Sequence, residues 1–148
     1  MLVDGDKGDI AHVVINNNEL KVVDVICQSC YKSVEVKKFN VHYYVYYNSG
    51  RERSKYRLET WLQIIQDLGC GEVFIKSIDF DGTMRGLDYE LLNFCVPKID
   101  KPLIYSGGCS SDKEIIEFKK TYKNIALSFA SHFYKNNFKL IKKIKKFK

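Results

Sequence analysis

The chain has 148 residues, of which 45% are hydrophobic and 28% are charged, a balance typical of a folded domain rather than a disordered segment. A closed eight-stranded α/β barrel takes about 250 residues, so the length predicts one domain and excludes a complete barrel. The formal net charge is +6, but seven lysines fall within residues 135–148, so the charge by itself identifies no partner.

The first part of the chain begins with a tail, residues 1–8, and continues with short strand and helix patterns. In chain order these patterns predict a strand at His12–Ile15, a short helix at Glu19–Ile26, and strands at Tyr31–Val36 and Val41–Tyr47. The run Asn48-Ser49-Gly50 follows, so the last strand forms a hairpin with the one before it or extends it. Arg51–Tyr56 is predicted to be a polar loop.

The second part of the chain alternates helices and strands more regularly. In chain order the pattern predicts a helix at Leu58–Leu68, a strand at Glu72–Ile78, a helix at Tyr89–Phe94 and a strand at Pro102–Tyr105. Gly69 terminates the first of these helices. A further helix, capped by Ser110, Ser111 and Asp112, runs to Lys120, and a strand follows at Ile125–Phe129. This order predicts about five parallel strands alternating with helices, in βα units that span residues 9–134.

The lysine-rich segment 135–148 is predicted to complete this single domain as an amphipathic helix, because its apolar residues recur every three positions. We interpret its lysines as a solvated helix face; binding to nucleic acid or to an anionic membrane is the alternative. The uncharged stretch 124–134 is too short to cross a bilayer, and the acidic residues Asp4, Asp6 and Asp9 argue against a secretory signal. We therefore expect a cytoplasmic protein with no nucleic acid and no membrane as partner.

The cysteines are odd in number and scattered, which favours free thiols in a reducing compartment: Cys27, Cys30, Cys70, Cys95 and Cys109. Cys27 and Cys30 have the spacing of a metal or redox motif, but no second pair completes a zinc site, and the motif precedes a strand rather than following one. We interpret the cysteines as small core residues and expect neither a metal nor a cofactor.

Polar, glycine-containing loops follow two of the predicted strands. Gly82 lies in the loop after Glu72–Ile78, and Gly107 and Gly108 lie in the loop after Pro102–Tyr105. In parallel α/β architectures such loops build the active site, because strand ends and helix N-termini share one side of the sheet. Glycines let backbone N–H groups approach a ligand closely, so these loops are candidates for holding a phosphate, with ordinary tight turns as the alternative.

Three runs carry a resemblance to a known family: IKSIDFDGTMRGLD from Ile75, PLIYSGG from Pro102 and ALSFASHF from Ala126. They are similar to the C-terminal half of the cyclase subunit of imidazole glycerol phosphate synthase, and the resemblance extends from about Asp9 to the end of the chain. It implies a partial (β/α)8 barrel of the ribulose-phosphate-binding type, about the C-terminal five βα units. Val34–Lys38 and the run VHYYVYYNSG also resemble the paralogue associated with amidating surface-polysaccharide sugars.

The resemblance implies an enzyme that receives ammonia from a glutaminase subunit, attacks the ribulosyl carbonyl of a substrate with two phosphates, and closes an imidazole ring in histidine biosynthesis. Two strand-end aspartates supply the acid–base chemistry in the family. One lies on a first strand that this chain does not contain, and the position of the other is matched by Glu35. Asp81, in the loop after the following parallel strand, is expected to orient substrate hydroxyls or to assist proton transfer.

The positions that match the family's phosphate site are Gly82, Thr83, Ser106, Gly107, Gly108, Ala130 and Ser131. From the residues alone, Glu35 is equally an ordinary rim glutamate, and Asp81 has the alternative role of stabilising its turn. His132 follows the last strand, and we interpret it as a packed loop histidine rather than a catalytic base.

An open set of five parallel strands leaves two unpaired edges, so we expect either a second copy of the chain or a separately encoded N-terminal half-barrel to cover them. Three hypotheses remain open. The chain is a truncated or split cyclase of the histidine pathway, the paralogue that acts in sugar amidation, or a non-catalytic phosphate-binding half-barrel or decayed remnant.

Overall fold

A computed structural model describes the backbone of residues 12–16, 19–23 and 31–135 and the side chains of residues 34–132, 134 and 135. The strands are β1 (His12–Asn16), β2 (Glu19–Val23), β3 (Tyr31–Phe39), β4 (His42–Tyr47), β5 (Glu52–Arg57), β6 (Glu72–Ser77), β7 (Leu103–Ser106) and β8 (Ile125–Phe129). The helices are α1 (Leu58–Asp67), α2 (Tyr89–Cys95) with a 3-10 turn at Val96–Lys98, α3 (Asp112–Thr121) and α4 (Ser131–Lys135). The predicted tail, the predicted basic helix beyond Lys135, and the pair Cys27 and Cys30 lie outside the described residues.

One sheet contains all the described strands, in the order β2-β1-β8-β7-β6-β3-β4-β5. Its centre is parallel, because β3, β6, β7 and β8 run side by side in one direction. On one flank β3 continues into an antiparallel ribbon with β4 and β5, and on the other flank β1 pairs antiparallel with β8. Among the described strands β2 and β5 pair on one side only, so the sheet is an open partial barrel, which confirms the predicted fold class.

Two predictions about the first strands of the sheet were wrong. Glu19–Val23, part of the predicted helix 19–26, forms β2 and pairs with β1 along its whole length. Leu20 and Val22 fit the two-residue period of a strand as well as a helical face, and pairing with β1 decides between the two. The described parallel strands number four rather than about five, because β1 runs antiparallel to β8.

The predicted polar loop at Arg51–Tyr56 was also wrong, since most of it lies in β5, which pairs with β4. Only Ser54 and Tyr56 are half-buried in this strand, and its other side chains are exposed. An edge strand with a solvated face has a polar composition, and composition alone therefore favoured a loop. The hairpin alternative for Val41–Tyr47 is confirmed, because β4 pairs antiparallel with β3.

The other predicted helices and strands between residues 58 and 129 are confirmed, with ends that differ by one residue at most. In α1, the side chains of Leu58, Leu62 and Ile65 face the sheet and are buried. Gly69 has a φ of +77°, a conformation that ends a helix at little cost only in glycine. The helical period and its terminating glycine therefore sufficed to locate α1.

The hydrophobic core lies between the parallel strands and helices α1, α2 and α3. The sheet contributes one face, in which Val34, Ile75, Tyr105 and Leu127 are neighbours across successive strands and are at most 1% exposed. Alternation along a strand sends the intervening side chains to the opposite face. The candidate site residues lie on that opposite face or in the loops at its edge.

Three of the cysteines belong to this core. Cys70, Cys95 and Cys109 are free and buried. Burial raises the pKa of the Cys95 and Cys109 thiols to about 12, which makes both poor nucleophiles at neutral pH. The interpretation of these three cysteines as core residues is confirmed.

Within the part of the chain that the structure describes, none of the helices combines the length and apolar character needed to cross a lipid bilayer.

Candidate functional site

A row of polar side chains crosses the parallel strands on the face opposite the helices. Glu35 is the register neighbour of Lys76, Lys76 of Ser106, and Ser106 of Ser128. These four residues, which we call the polar row, lie near the carboxyl ends of the parallel strands. That is the side at which parallel α/β folds place their functional loops.

Asp81 joins the polar row from the loop that follows β6. The Nζ atom of Lys76 lies 3.1 Å from Oδ2 of Asp81 and 4.0 Å from Oε1 of Glu35. The side chains of Glu35 and Asp81 are 19% and 46% exposed, so both carboxylates are accessible from one side. The structure thus brings the two carboxylates predicted for acid–base chemistry to one shared ammonium group.

A second ion pair holds the same loop against β3. The Nζ atom of Lys37 lies 3.2 Å from Oδ1 of Asp79. Lys37 follows Glu35 by two positions and therefore points to the same face of the sheet. The loop after β6 is therefore tied to β3 through Lys37 and to β6 through Lys76, which fixes Asp81 relative to Glu35.

A small cleft adjoins the polar row at the strand ends. Its lining residues come from the loops after β6, β7 and β8, and they are Asp81, Gly82, Met84, Ser106, Gly107, Gly108, Cys109, Phe129, Ala130 and Ser131. All but one of the residues predicted to hold phosphate are among them. Asp81, which pairs with Lys76, and Ser106, which belongs to the polar row, both line the cleft, so the cleft and the polar row form one continuous site.

Thr83 is the predicted phosphate residue that does not line this cleft. Its hydroxyl donates to the carbonyl oxygen of Phe80 at 2.8 Å and accepts from the backbone N–H of Arg85 at 3.3 Å. In this conformation the Thr83 side chain stabilises the turn around Gly82.

Gly107 and Gly108 allow the loop after β7 to pack tightly against the loop after β6. Gly107 has a φ of +127°, and a Cβ atom there would lie 3.0 Å from the carbonyl oxygen of Ser77. Gly108 has a φ of +83°, and its Cβ would lie 2.0 Å from the carbonyl oxygen of Gly86. The backbone N–H of Gly86 donates to the carbonyl oxygen of Gly108 at 2.9 Å, so the two loops are joined by their backbones. Both glycines are therefore required by sterics, whatever they bind.

Glu114, on the first turn of α3, connects these two loops through its carboxylate. One oxygen accepts from the backbone N–H of Leu87 at 2.8 Å, and the other accepts from the N–H and the hydroxyl of Ser110, each at 2.8 Å. Glu114 is not among the site residues predicted from the sequence. Ser111 and Glu114 have the spacing of a capping box, and the Ser111 hydroxyl accepts from the Glu114 N–H at 3.2 Å, so a signal was present.

We expect Glu114→Ala to lower the free energy of unfolding by about 2–4 kcal/mol, because it leaves two partly buried backbone N–H groups without their acceptor. Urea unfolding followed by circular dichroism measures the change. The matched control is Glu117→Ala on the same helix, which removes only an exposed ion pair with Lys113 and should cost about 0.5 kcal/mol or less. Equal costs for the two variants would contradict the role assigned to Glu114.

A buried network secures the far end of the loop after β6. The Tyr105 hydroxyl accepts from the backbone N–H of Asp88 at 3.0 Å, and the Ser77 hydroxyl donates to the Asp88 carboxylate at 3.0 Å. The same carboxylate caps α2 by accepting from the N–H of Leu91. Burial is the main cause that raises the pKa of the Tyr105 phenol well above its ordinary value, so the hydroxyl keeps its proton.

His132 lies in the first turn of α4 rather than in a loop, and it is packed as predicted, with 4% of its surface exposed. Its Nε2 atom lies 2.8 Å from Oδ1 of Asp112, the first residue of α3. The pair joins α3 to α4. In the residues that the structure describes, no group of three or more His, Cys, Asp and Glu side chains is arranged to hold a metal ion.

Comparison with known proteins gives one consistent result. A family model described as "Histidine biosynthesis protein" matches residues 7–139. The imidazole glycerol phosphate synthase subunit HisF of Lactococcus lactis subsp. cremoris (strain SK11) is 36% identical over 135 residues, which are 87% of this chain and 52% of that protein. The subunit of the same name from Chlorobium phaeobacteroides is 34% identical, over 68% of this chain and 41% of its own length. The chain spans about half the length of the first of these curated relatives.

Proposed function

The chain belongs to the histidine biosynthesis protein family, and from that premise we propose that it is the C-terminal part of a cyclase of the imidazole glycerol phosphate synthase type. The proposal includes ammonia-dependent closure of an imidazole ring on a substrate with two phosphates, in a cytoplasmic enzyme. The observation that supports it most is the sharing of Asp81 between the glycine-lined cleft and the cluster of Glu35 and Lys76.

In this proposal the cleft holds one phosphate of the substrate. The loops that form it bring the backbones of Gly82, Gly107 and Gly108 to its wall, and Ser106 and Ser131 line it with them. Backbone N–H groups near glycines bind anionic oxygens well, since no Cβ keeps the ligand away. Thr83 is left with a supporting role in its turn.

The carboxylates of Asp81 and Glu35 are proposed to carry the proton transfers beside that phosphate. Ring closure requires a group that takes protons from the attacking amine and a group that returns a proton to the departing oxygen. Asp81 is close to the bound sugar because it lines the cleft itself. Glu35 reaches the same region from β3, one methylene longer than the aspartate of the family.

The remaining parts of the site are proposed to come from other polypeptide segments. Among the described strands β2 and β5 pair on one side only, which favours a partner that continues the sheet, and an N-terminal half-barrel would bring the first-strand aspartate of the family. A second copy of the chain is the alternative partner. A glutaminase subunit is the proposed source of ammonia.

The test starts with the full chain. We expect inorganic phosphate to shift the amide resonances of Gly82, Gly107 and Gly108 in a ¹⁵N-labelled sample. The part of the Lactococcus lactis relative that this chain does not match is then added, and ammonia-dependent turnover of the bis-phosphorylated ribulosyl nucleotide is measured. Asp81→Asn should lower this turnover by about 100-fold or more while phosphate still binds.

The outcomes separate the hypotheses. In one outcome phosphate binds without any turnover, both when the added part of the Lactococcus lactis relative is present and when only a second copy of this chain is present. That result would favour a non-catalytic phosphate-binding module. Turnover of a sugar substrate in place of the ribulosyl nucleotide would favour the paralogue that acts in sugar amidation. Absence of phosphate binding at the named amides would overturn the proposed site altogether.

A further inference from the structure

A lysine lies between the two carboxylates of the proposed site. Lys76 is on β6, with its side chain 28% exposed, and its Nζ atom is 3.1 Å from Asp81 and 4.0 Å from Glu35. In the run VFIKS, residues 73–77, it is the one charged residue of an otherwise buried strand segment. A long cationic side chain at such a position requires compensation, which the two carboxylates supply.

The charge balance of the site depends on this lysine. Asp81 lines the cleft proposed for phosphate, and Glu35 lies in the same row as Ser106, another cleft residue. The neighbouring Lys37 is engaged with Asp79. With Lys76 in place the group of Glu35, Lys76 and Asp81 carries one net negative charge, and without it two carboxylates would face a bound phosphate uncompensated.

We propose that Lys76 is a positioning residue that makes an anion site and an acid–base carboxylate pair compatible at the same strand ends. This inference rests on the proposed function. The ammonium group of Lys76 holds the carboxylates of Glu35 and Asp81 in position and reduces their repulsion of the phosphate. Lys76 acts on the phosphate through the two carboxylates rather than by contacting it.

The surroundings of Lys76 argue against a nucleophilic role for its amine. A lysine that forms a Schiff base with a ketose carbonyl must be neutral when it attacks, and such lysines lie in apolar pockets or beside other cations. Lys76 instead lies beside two anionic groups, with its Nζ atom 3.1 Å from the carboxylate of Asp81 and 4.0 Å from that of Glu35.

The test is a double-mutant comparison in the full chain, with inorganic phosphate as the probe and the amide resonances of Gly82, Gly107 and Gly108 as the readout. We expect Lys76→Met to weaken phosphate binding roughly fivefold, from Coulomb repulsion at a partly exposed site. Adding Asp81→Asn to Lys76→Met should recover most of this loss, because one of the uncompensated charges is removed. Lys76→Arg should stay within about twofold of the unmodified chain, since it keeps the charge.

Lys113→Met is the matched control, because Lys113 is 85% exposed on α3 and pairs only with Glu117 among the described ion pairs. It should leave phosphate affinity unchanged. Lys76→Gln is measured beside Lys76→Met, and urea unfolding of each variant shows that it is folded under the conditions of the titration.

Each outcome bears on the inference. An unchanged affinity in Lys76→Met overturns it and leaves the proposed function standing. An equal loss in Lys76→Met and in the double variant means that Lys76 contacts phosphate directly, which also overturns it. If the unmodified chain shows no phosphate binding at these amides, the proposed function fails, and the inference fails with it.

Discussion

Replacing Gly108 by alanine should destabilise the chain by about 3–5 kcal/mol and abolish phosphate binding in the cleft. The new Cβ would lie 2.0 Å from the carbonyl oxygen of Gly86, which belongs to backbone and cannot rotate away as a side chain would. The φ of +83° adds strain in any residue with a side chain. Relief requires the two loops to separate, which breaks the hydrogen bond between Gly86 and Gly108 and opens the cleft.

The matched control for this variant is Gly69→Ala. Gly69 has a similar φ of +77°, but a Cβ there meets nothing within 4 Å. It should therefore cost only the backbone strain, about 1 kcal/mol. Urea unfolding of both variants measures the difference, and phosphate titration of Gly69→Ala should match the unmodified chain. Costs that agree within error would show that the loops yield easily and that the steric argument for the cleft is wrong.

The second large effect is expected from Phe118→Ala in the helix-facing core. Phe118 is fully buried on α3, and its ring centroid lies 5.1 Å from that of Tyr122. Removing the ring leaves a cavity that the surrounding side chains fill only in part, so we expect a loss of about 3–5 kcal/mol. A domain of this size has a total stability of about 5–15 kcal/mol, so the variant should be close to unfolding at 37 °C.

Ile116→Ala serves as the control for Phe118→Ala, because Ile116 lies on the same helix and is 50% exposed. It should change the unfolding free energy by about 0.5 kcal/mol or less. Thermal and urea unfolding of both variants give the comparison. A Phe118→Ala variant with the same urea and thermal unfolding midpoints as the unmodified chain would show that Phe118 does not pack in the core between α3 and the sheet.

The sequence predicted the second part of the fold better than the first. Leu58, Leu62 and Ile65 define a helix face over several turns, and β8 lies at the predicted Ile125–Phe129, so local pattern was sufficient there. Glu19–Val23 was misassigned because five residues cannot separate the helical from the strand period. β5 was missed because its stability comes from pairing with β4 rather than from apolar residues of its own.

The site shows a similar division. The glycines at 82, 107 and 108 and the acids Glu35 and Asp81 were predicted from motifs and from the resemblance, and they lie around one continuous candidate site. Lys76 and Glu114 were not predicted to belong to the site. Lys76 is a charged residue within the buried strand β6, and Glu114 lies three positions after the helix-capping Ser111. Each has one partner that is distant in sequence: Lys76 lies beside Glu35 on the adjacent strand β3, and Glu114 accepts from Leu87 in the loop after β6.

What the sequence determined by itself is the family, the order of the βα units, and the glycine-lined loops that end β6 and β7. These depend on local period, on turn chemistry and on short motifs, all of which act within a few residues. Only the tertiary structure decided which strand pairs with which and which charge meets which. Hydrogen bonds between strands and the ion pair of Lys76 with Glu35 join residues that the chain brings together only when the sheet forms.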